Sequence, residues 1–232
     1  MALRLVQANI KAADASALGR FWAAVLGWEL VTEAPGVMNV EGPGAFGVDV
    51  VTVPDPSTVR YRVHLDLAYR PGLVERCLSL GATPVDVGQG DVPWTVLADP
   101  EGNVFCVLEF REIYRDTGPI AALVVDCDDP RAMAGFWGAA TDWDVVEVTD
   151  DFASLHAGSG PYLEFLRKPG ERVWWNRLHL EVAPYVGDDH SAEVDRLLSL
   201  GAESVDVGQG DDVSWRVLAD PEGNEFCVLS AR

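Results

Sequence analysis

The sequence predicts an α+β protein of tandem lobes, each built from two βαβββ modules whose curved mixed sheet surrounds a cavity. Three observations lead there. The stretch VLADPEGNxFCVL occurs twice, at 96–108 with Val104 at the variable place and at 217–229 with Glu225 there. The rest of the chain repeats with it: Phe21-Trp22 returns as Phe136-Trp137, Trp28 as Trp143, His64 as His179, and VDVGQGD at 85–91 as 205–211. Within each copy, segments of alternating polarity are interrupted by two segments of helical period. A repeat this long makes two like lobes and not a solenoid of short units. The lobes are assigned to residues 1–112 and 120–232, with 113–119 as the linker in a charged stretch that ends on Gly118-Pro119.

Residues 3–10 alternate as a half-buried strand, with Val6, Ala8 and Ile10 on one face and Leu5, Gln7 and Asn9 on the other. Asp14 is an N-cap for a helix over Ala15–Leu26, and Gly27 ends it. Leu18, Phe21, Trp22 and Val25 fall three or four apart along that helix and form its buried stripe. Strands over 28–32, 36–40 and 45–53 follow, the last two separated by Gly42-Pro43-Gly44. The second module opens on 61–67, where Val63, Leu65 and Leu67 alternate with Arg62, His64 and Asp66. A helix over 71–80 is closed by Gly81, and strands over 84–87, 93–98 and 104–110 complete the lobe. Between the last two, Asp99-Pro100-Glu101-Gly102 is a tight turn: Pro presets φ and Gly accepts the closing conformation. The second lobe follows the same plan. Its strand over 173–182 puts Trp175, Arg177, His179 and Glu181 on one side and Leu178, Leu180 and Val182 on the other.

Composition narrows the function. With 17 basic and 37 acidic residues the chain carries a net charge of −20, which repels nucleic acid and anionic membranes. A hydrophobic content of 48% is enough for each lobe to bury a core. No apolar run approaches the ~18 residues of a membrane span, and no leader pattern opens the chain, so a cytoplasmic protein is expected. Four cysteines are too few for a disulfide scaffold, and Cys77 and Cys127 have no counterparts in the repeat. The expected partner is a small-molecule ligand, and the expected state a monomer with pseudo-twofold lobes or a homodimer.

Several residues can carry chemistry. His64 and His179 each project from the polar face of a strand, either hydrogen-bonded at the core edge or orienting a ligand. Arg62 and Arg177 share those faces and can bind a ligand or pair with Asp49 and Glu164. Trp175 offers a flat surface for stacking on a planar ligand. Trp22 and Trp137 belong to helices and read as core. By themselves Cys106 and Cys227 read as small packing residues. VDVGQGD lacks the strand-to-helix context of a phosphate loop, and no serine forms a nucleophilic triad with a histidine.

The segment Asp14 to Trp28, the strand Arg62-Val63-His64-Leu65-Asp66-Leu67 and the DPEGN turn followed by Phe-Cys carry a resemblance to the vicinal oxygen chelate superfamily. That superfamily includes glyoxalase I, extradiol dioxygenases and bleomycin- and fosfomycin-resistance proteins, and the match is to its glyoxalase-like domain subgroup. The resemblance covers nearly the whole chain and implies the fold described above. It leaves the activity open, because the fold hosts lyases, dioxygenases, transferases and sequestering proteins. In metal-dependent members the ligands stand at places that fall here on Gln7, Asp49, His64 and Cys106, the last where the family usually has Glu. The second lobe has Ala122, Glu164, His179 and Cys227 at the same places. Such a set implies a divalent metal (Zn, Ni, Fe or Mn), yet the loss of both carboxylates to cysteine and the Ala122 gap point to less than one equivalent. The expected function is therefore binding of a small organic molecule, aromatic compounds included, through His64, Arg62, His179, Arg177, Trp175 and Glu164. The alternative is a metal-dependent lyase, isomerase or dioxygenase. Whether modules pair within a lobe or between lobes is open at this level.

Overall fold

The computed structural model describes residues 2–44, 46–56, 62–168, 170, 176–208, 210 and 213–232. The first module comprises β1 (Arg4–Ala12), α1 (Ala15–Leu26), β2 (Glu29–Ala34), β3 (Val37–Glu41) and β4 (Gly47–Thr52). The second comprises β5 (Val63–Leu67), α2 (Leu73–Ser79), β6 (Thr83–Pro84), β7 (Trp94–Ala98) and β8 (Val104–Leu108). A 3-10 turn over Glu112–Tyr114 lies between the repeats. The third module comprises β9 (Ile120–Cys127), α3 (Pro130–Ala140), β10 (Asp144–Val148), β11 (Phe152–His156) and β12 (Tyr162–Arg167). The fourth comprises β13 (Leu178–Ala183), α4 (His190–Ser199), β14 (Glu203–Ser204), β15 (Arg216–Ala219) and β16 (Glu225–Val228).

These four βαβββ modules form two curved eight-stranded mixed sheets. The first sheet runs β14-β15-β16-β13-β1-β4-β3-β2 and the second β10-β11-β12-β9-β5-β8-β7-β6. Each sheet thus joins one module from each repeat. The seams are antiparallel, β1 against β13 and β5 against β9. The pairing that the sequence left open is therefore made across the repeats: modules one and four share a sheet, as do two and three.

The helices form for the reasons legible in the sequence. The Asp14 side chain accepts from the Ala17 amide at 3.0 Å, and Gly27 closes α1 with φ 73°, a left-handed value that an L side chain would resist. Asp129 caps α3 in the same way through the Ala132 amide. The expected stripe of α1 is buried throughout. Its Trp22 ring lies 5.1 Å edge-on from Phe105 of β8, and Trp137 of α3 lies 5.1 Å from Phe226 of β16. Because Phe105 belongs to the second sheet and α1 covers the first, the Phe-Trp helices wedge the two sheets into one continuous core.

The DPEGN turn has a second task. Asp99 Oδ1 accepts from the Glu101 and Asn103 amides (3.0 and 2.9 Å), Asn103 Nδ2 donates to Asp99 Oδ2 at 2.7 Å, and Gly102 takes φ 86°. This leaves the Glu101 carboxylate pointing outward, where it accepts from the Ala13 and Asp14 amides at the start of α1 and from Arg177 Nη2 at 2.7 Å. Glu222 of the second turn does the same with the Asp128 and Asp129 amides and with Arg62 Nη2 at 3.1 Å. Each turn glutamate therefore clamps three modules together.

Two expectations change at the level of strands. The seam register of β1 shifts between Leu5 and Gln7. A bulge sets two successive residues against one, so parity flips there. Leu5 joins Ala8 and Ile10 in the main core, while Val6 lies on the other face with Ala183, Val217 and Cys227. The strand expected over 84–87 is only Thr83–Pro84. Asp86 Oδ1 accepts from the Gly88 amide at 2.8 Å, and this local turn takes the chain away from β7. Among the described residues no helix is long and apolar enough to cross a membrane. All four cysteines are free and buried.

Candidate functional site

Pairing across the repeats divides the expected metal quartet. Gln7 on β1 and Asp49 on β4 stand on the first sheet, whereas His64 on β5 and Cys106 on β8 stand on the second. The first sheet receives His179 and Cys227 from the other repeat, and the second receives Ala122 and Glu164. Two of the expected ligand-binding residues are committed elsewhere. Arg62 donates from Nε and Nη2 to Asp126 O and from Nη1 and Nη2 to Glu222, and Arg177 donates to Lys11 O and Glu101 in the same pattern. Both guanidinium groups serve the clamps, because strand parity carries them past the sheet rim to the turn glutamates. Trp175 lies outside the described residues, as does its neighbour Trp174.

The polar face of the first sheet is filled by its own side chains. Gln7 Nε2 lies 2.5 Å from Asp49 Oδ2 and 2.5 Å from Glu181 Oε2. Asn9 Nδ2 donates to Glu181 Oε1 at 3.2 Å, and Lys11 Nζ pairs with Glu225 Oε1 at 2.6 Å. His179 Nε2 stands 3.3 Å from Glu181 Oε1 and 3.4 Å from Cys227 Sγ. All of these residues except Lys11 are buried. Burial, followed by the charge of Glu181, pushes the Asp49 carboxyl up to about 7. Burial alone would lower the His179 pKa, but Cys227 and Glu181 outweigh it and raise the imidazole to about 10.

The second sheet carries the same ground plan with smaller residues. Ala122, Val124 and Val104 stand where the first sheet has Gln7, Asn9 and Glu225. Over this face lies a cavity of about 760 Å³, with Trp94, Val96, Leu108 and Phe152 among its apolar walls and Arg111 and Lys168 among its basic groups. His64, Asp66, Cys106 and Glu164 line it as well. His64 Nε2 stands 3.2 Å from Asp66 Oδ1. Burial works against the imidazolium, yet Asp66 and then Asp126 more than offset it, so the His64 pKa is raised. Glu164 accepts from the Tyr114 hydroxyl at 2.7 Å, and burial lifts its carboxyl to about 7 despite that bond. Burial and the nearby Asp66 keep the Cys106 thiol protonated far above its usual range.

Tyr114 was not marked by the sequence. It belongs to the 3-10 turn of the inter-repeat stretch, and its ring packs edge-on against Tyr162 at 5.7 Å. An aromatic residue within a charged linker was the available signal. Asp66 and Glu181 were placed on the right faces by alternation but were not singled out, because the resemblance assigns no role to the residue two past the histidine.

The quartet implied by the resemblance fits the two sheets differently. On the second sheet Ala122 brings no donor atom, and the quartet does not fit. On the first sheet Gln7, Asp49, His179 and Cys227 all bring donors, and Asp49 Oδ1 is buried without a hydrogen-bond partner.

A glyoxalase-like domain family model matches residues 7–108 and again 122–229. Among solved structures, the chain is similar to glyoxalase I from Zea mays, with a TM-score of 0.67 and 16% identity, covering 99% of this chain and 92% of that one. A candidate dioxygenase from Bacillus subtilis gives a TM-score of 0.64 and 12% identity over 97% and 84% of the two chains. The cppA protein from Streptococcus pneumoniae gives 0.53 and 13% over 99% of each. Identities this low speak to the fold alone. No curated protein matches the chain.

Proposed function

The chain belongs to the glyoxalase-like domain family, and from that premise we propose that it binds one small organic molecule, preferentially aromatic, in the cavity of the second sheet. The observation that carries this reading is the cavity itself. Its volume of about 760 Å³ suits a drug-sized ligand, and its make-up of apolar walls with a few converging polar groups is that of a binding site. Trp94 and Phe152 offer faces for a planar ring, while the Glu164–Tyr114 and His64–Asp66 pairs offer donors and acceptors to its substituents. A second reading, a metal-dependent lyase, isomerase or dioxygenase, is favoured by the first-sheet donors Gln7, Asp49, His179 and Cys227. A divalent metal there would supply Lewis acidity toward a substrate oxygen.

Screening planar compounds by calorimetry tests the first reading. Stacking contributes about 0.5–1.5 kcal/mol beyond area burial, so Trp94→Ala should weaken the best ligand about tenfold. Its counterpart Trp215 immediately precedes β15 of the other sheet, and Trp215→Ala should leave affinity unchanged. The reverse pattern would move the ligand to the first sheet.

The Glu164 environment predicts a pH signature. Its folded pKa is raised from 4.5 to about 7, so between these values the native state holds a proton that the unfolded chain releases. Stability is lost as the pH rises through that window and stays lowered above it. Glu164→Gln removes this titration. Its stability relative to the parent should climb across the window by up to about 3 kcal/mol, at about 1.4 kcal/mol per pKa unit. Urea unfolding curves of the two proteins at stepped pH measure the difference, and a constant offset would show that Glu164 titrates normally.

A further inference from the structure

The cavity of the second sheet is lined by charged groups of both signs, and their pairing leaves one cation over. Asp126 Oδ2 meets Lys168 Nζ at 3.0 Å, Asp151 Oδ1 meets Arg167 Nη1 at 3.8 Å, and Asp66 Oδ1 meets His64 Nε2 at 3.2 Å. Glu164 accepts from the Tyr114 hydroxyl. Every acid of the lining is thereby engaged. Among the described residues Arg111 forms no ion pair, so its guanidinium is the one cation of the lining without an acid.

The turn after β8 fixes where that cation stands. The Glu109 amide still donates to Pro93 O at 3.2 Å, and the chain then enters the 3-10 turn, where the Tyr114 amide donates to Arg111 O at 3.1 Å. The turn that sets Tyr114 against Glu164 therefore holds the Arg111 backbone as well. The guanidinium carbon stands over the Trp94 ring, 6.0 Å from its centroid. An aryl ring stacked offset on Trp94 would have its own centre about 4.5–7 Å from the same point. A carboxyl group on the edge of that ring then comes within reach of the guanidinium.

The repeat supplies an independent observation. Three residues past the VLADPEGNxFCVL stretch stands Arg111 in one copy and Arg232 in the other. Arg232 borders the cup of the first sheet together with Gln7. Burial dominates the raised pKa of both Glu164 and Asp49, and against it the charge of Arg111 pulls down the first and that of Arg232 the second. An arginine thus overlooks both cups although their floors differ, a recurrence for which a merely solvated charge gives no reason.

We propose that the cavity selects a monoanionic aromatic acid, a planar ring bearing one carboxylate, and that Arg111 sets this preference. The inference rests on the cavity reading above and adds the charge of the ligand to it. The ring lies on Trp94, and the carboxylate accepts two parallel N–H bonds from the guanidinium fork, a geometry that an ammonium group cannot offer. The net charge of −20 opposes an anion at long range, but salt screens that repulsion beyond about 8–10 Å and leaves the close pair. A cationic ligand would meet acids that already have partners, and one uncompensated like charge.

Calorimetry on the full chain with three compounds of one shape tests this: 2-naphthoate, 2-naphthamide and protonated 2-naphthylmethylamine, at neutral pH and physiological salt. The naphthoate is expected to bind about tenfold more tightly than the amide, as suits a charge-assisted contact partly open to water. Arg111→Gln should erase that advantage and leave the amide affinity unchanged, while Arg111→Lys should keep part of it. Arg115→Gln removes a charge from the same turn, one that pairs with Glu112 outside the cavity, and should keep the full preference. Both arginines are exposed, so these variants are expected to fold as the parent does. The proposal is overturned if the amide binds as tightly as the naphthoate, if the ammonium compound binds most tightly, or if the preference survives Arg111→Gln. An amide affinity that still falls in Trp94→Ala would then keep the cavity reading, whereas no binding by any of the three would remove both.

Discussion

Trp22→Ala is expected to cost about 3–5 kcal/mol of folding stability, and Trp137→Ala a similar amount. Each indole is 1% exposed, and each wedges an aromatic residue of the opposite sheet, Phe105 or Phe226. Truncation leaves a void that the two sheets cannot close without moving relative to each other. For Trp22 the loss includes the indole N–H bond to Asp99 Oδ2 at 3.2 Å, which ties the helix to the DPEGN turn. Trp22→Phe keeps part of the ring contact but not that bond, and should fall between the two. Guanidinium unfolding midpoints measure all three. An unmoved midpoint in Trp22→Ala would mean that the two sheets are not held by this wedge.

The second large effect concerns the clamps. Arg62→Ala should cost about 3–5 kcal/mol, because it leaves the Glu222 carboxylate buried and unpaired beside the Asp128 and Asp129 amides. Arg177→Ala should behave likewise through Glu101. The double variant Arg62→Ala/Glu222→Ala should lose clearly less than the sum of its parts, since the stranded charge goes with its partner. The same variants separate a clamp from a ligand contact. If Arg62→Ala kept its unfolding midpoint but lost affinity for the cavity ligand, the arginine would belong to the binding site after all.

The site was half legible. Alternation along the β5 and β13 segments put His64, Asp66, His179 and Glu181 on the polar faces, and they are there. Alternation could not say that Arg62 and Arg177, on the same faces, would reach over the rim to a glutamate of another module. Nor could it find the bulge in β1 that turns Val6 toward Cys227, since a bulge is a property of the paired strands and not of one. Tyr114 lay in a segment read only as a linker, and its role depends on Glu164, distant in the chain.

By itself the sequence determined four βαβββ modules, their helix caps and turns, the polar faces of β5 and β13 and the repeat that relates them. Each of these rests on interactions within a dozen or so residues, where Asp14, Gly27 or the DPEGN turn acts on its own neighbours. Only the tertiary structure decided which modules share a sheet, and with that which residues share a floor. The apolar alternation of β5 would suit β1 or β9 equally well as a partner, because near-identical repeats present near-identical edges. The choice is made by contacts far apart in the chain, the Trp22–Phe105 wedge and the Arg177–Glu101 clamp among them. That choice sends Gln7 and Asp49 to His179 and Cys227, and leaves His64 and Cys106 facing Ala122 across an open cavity.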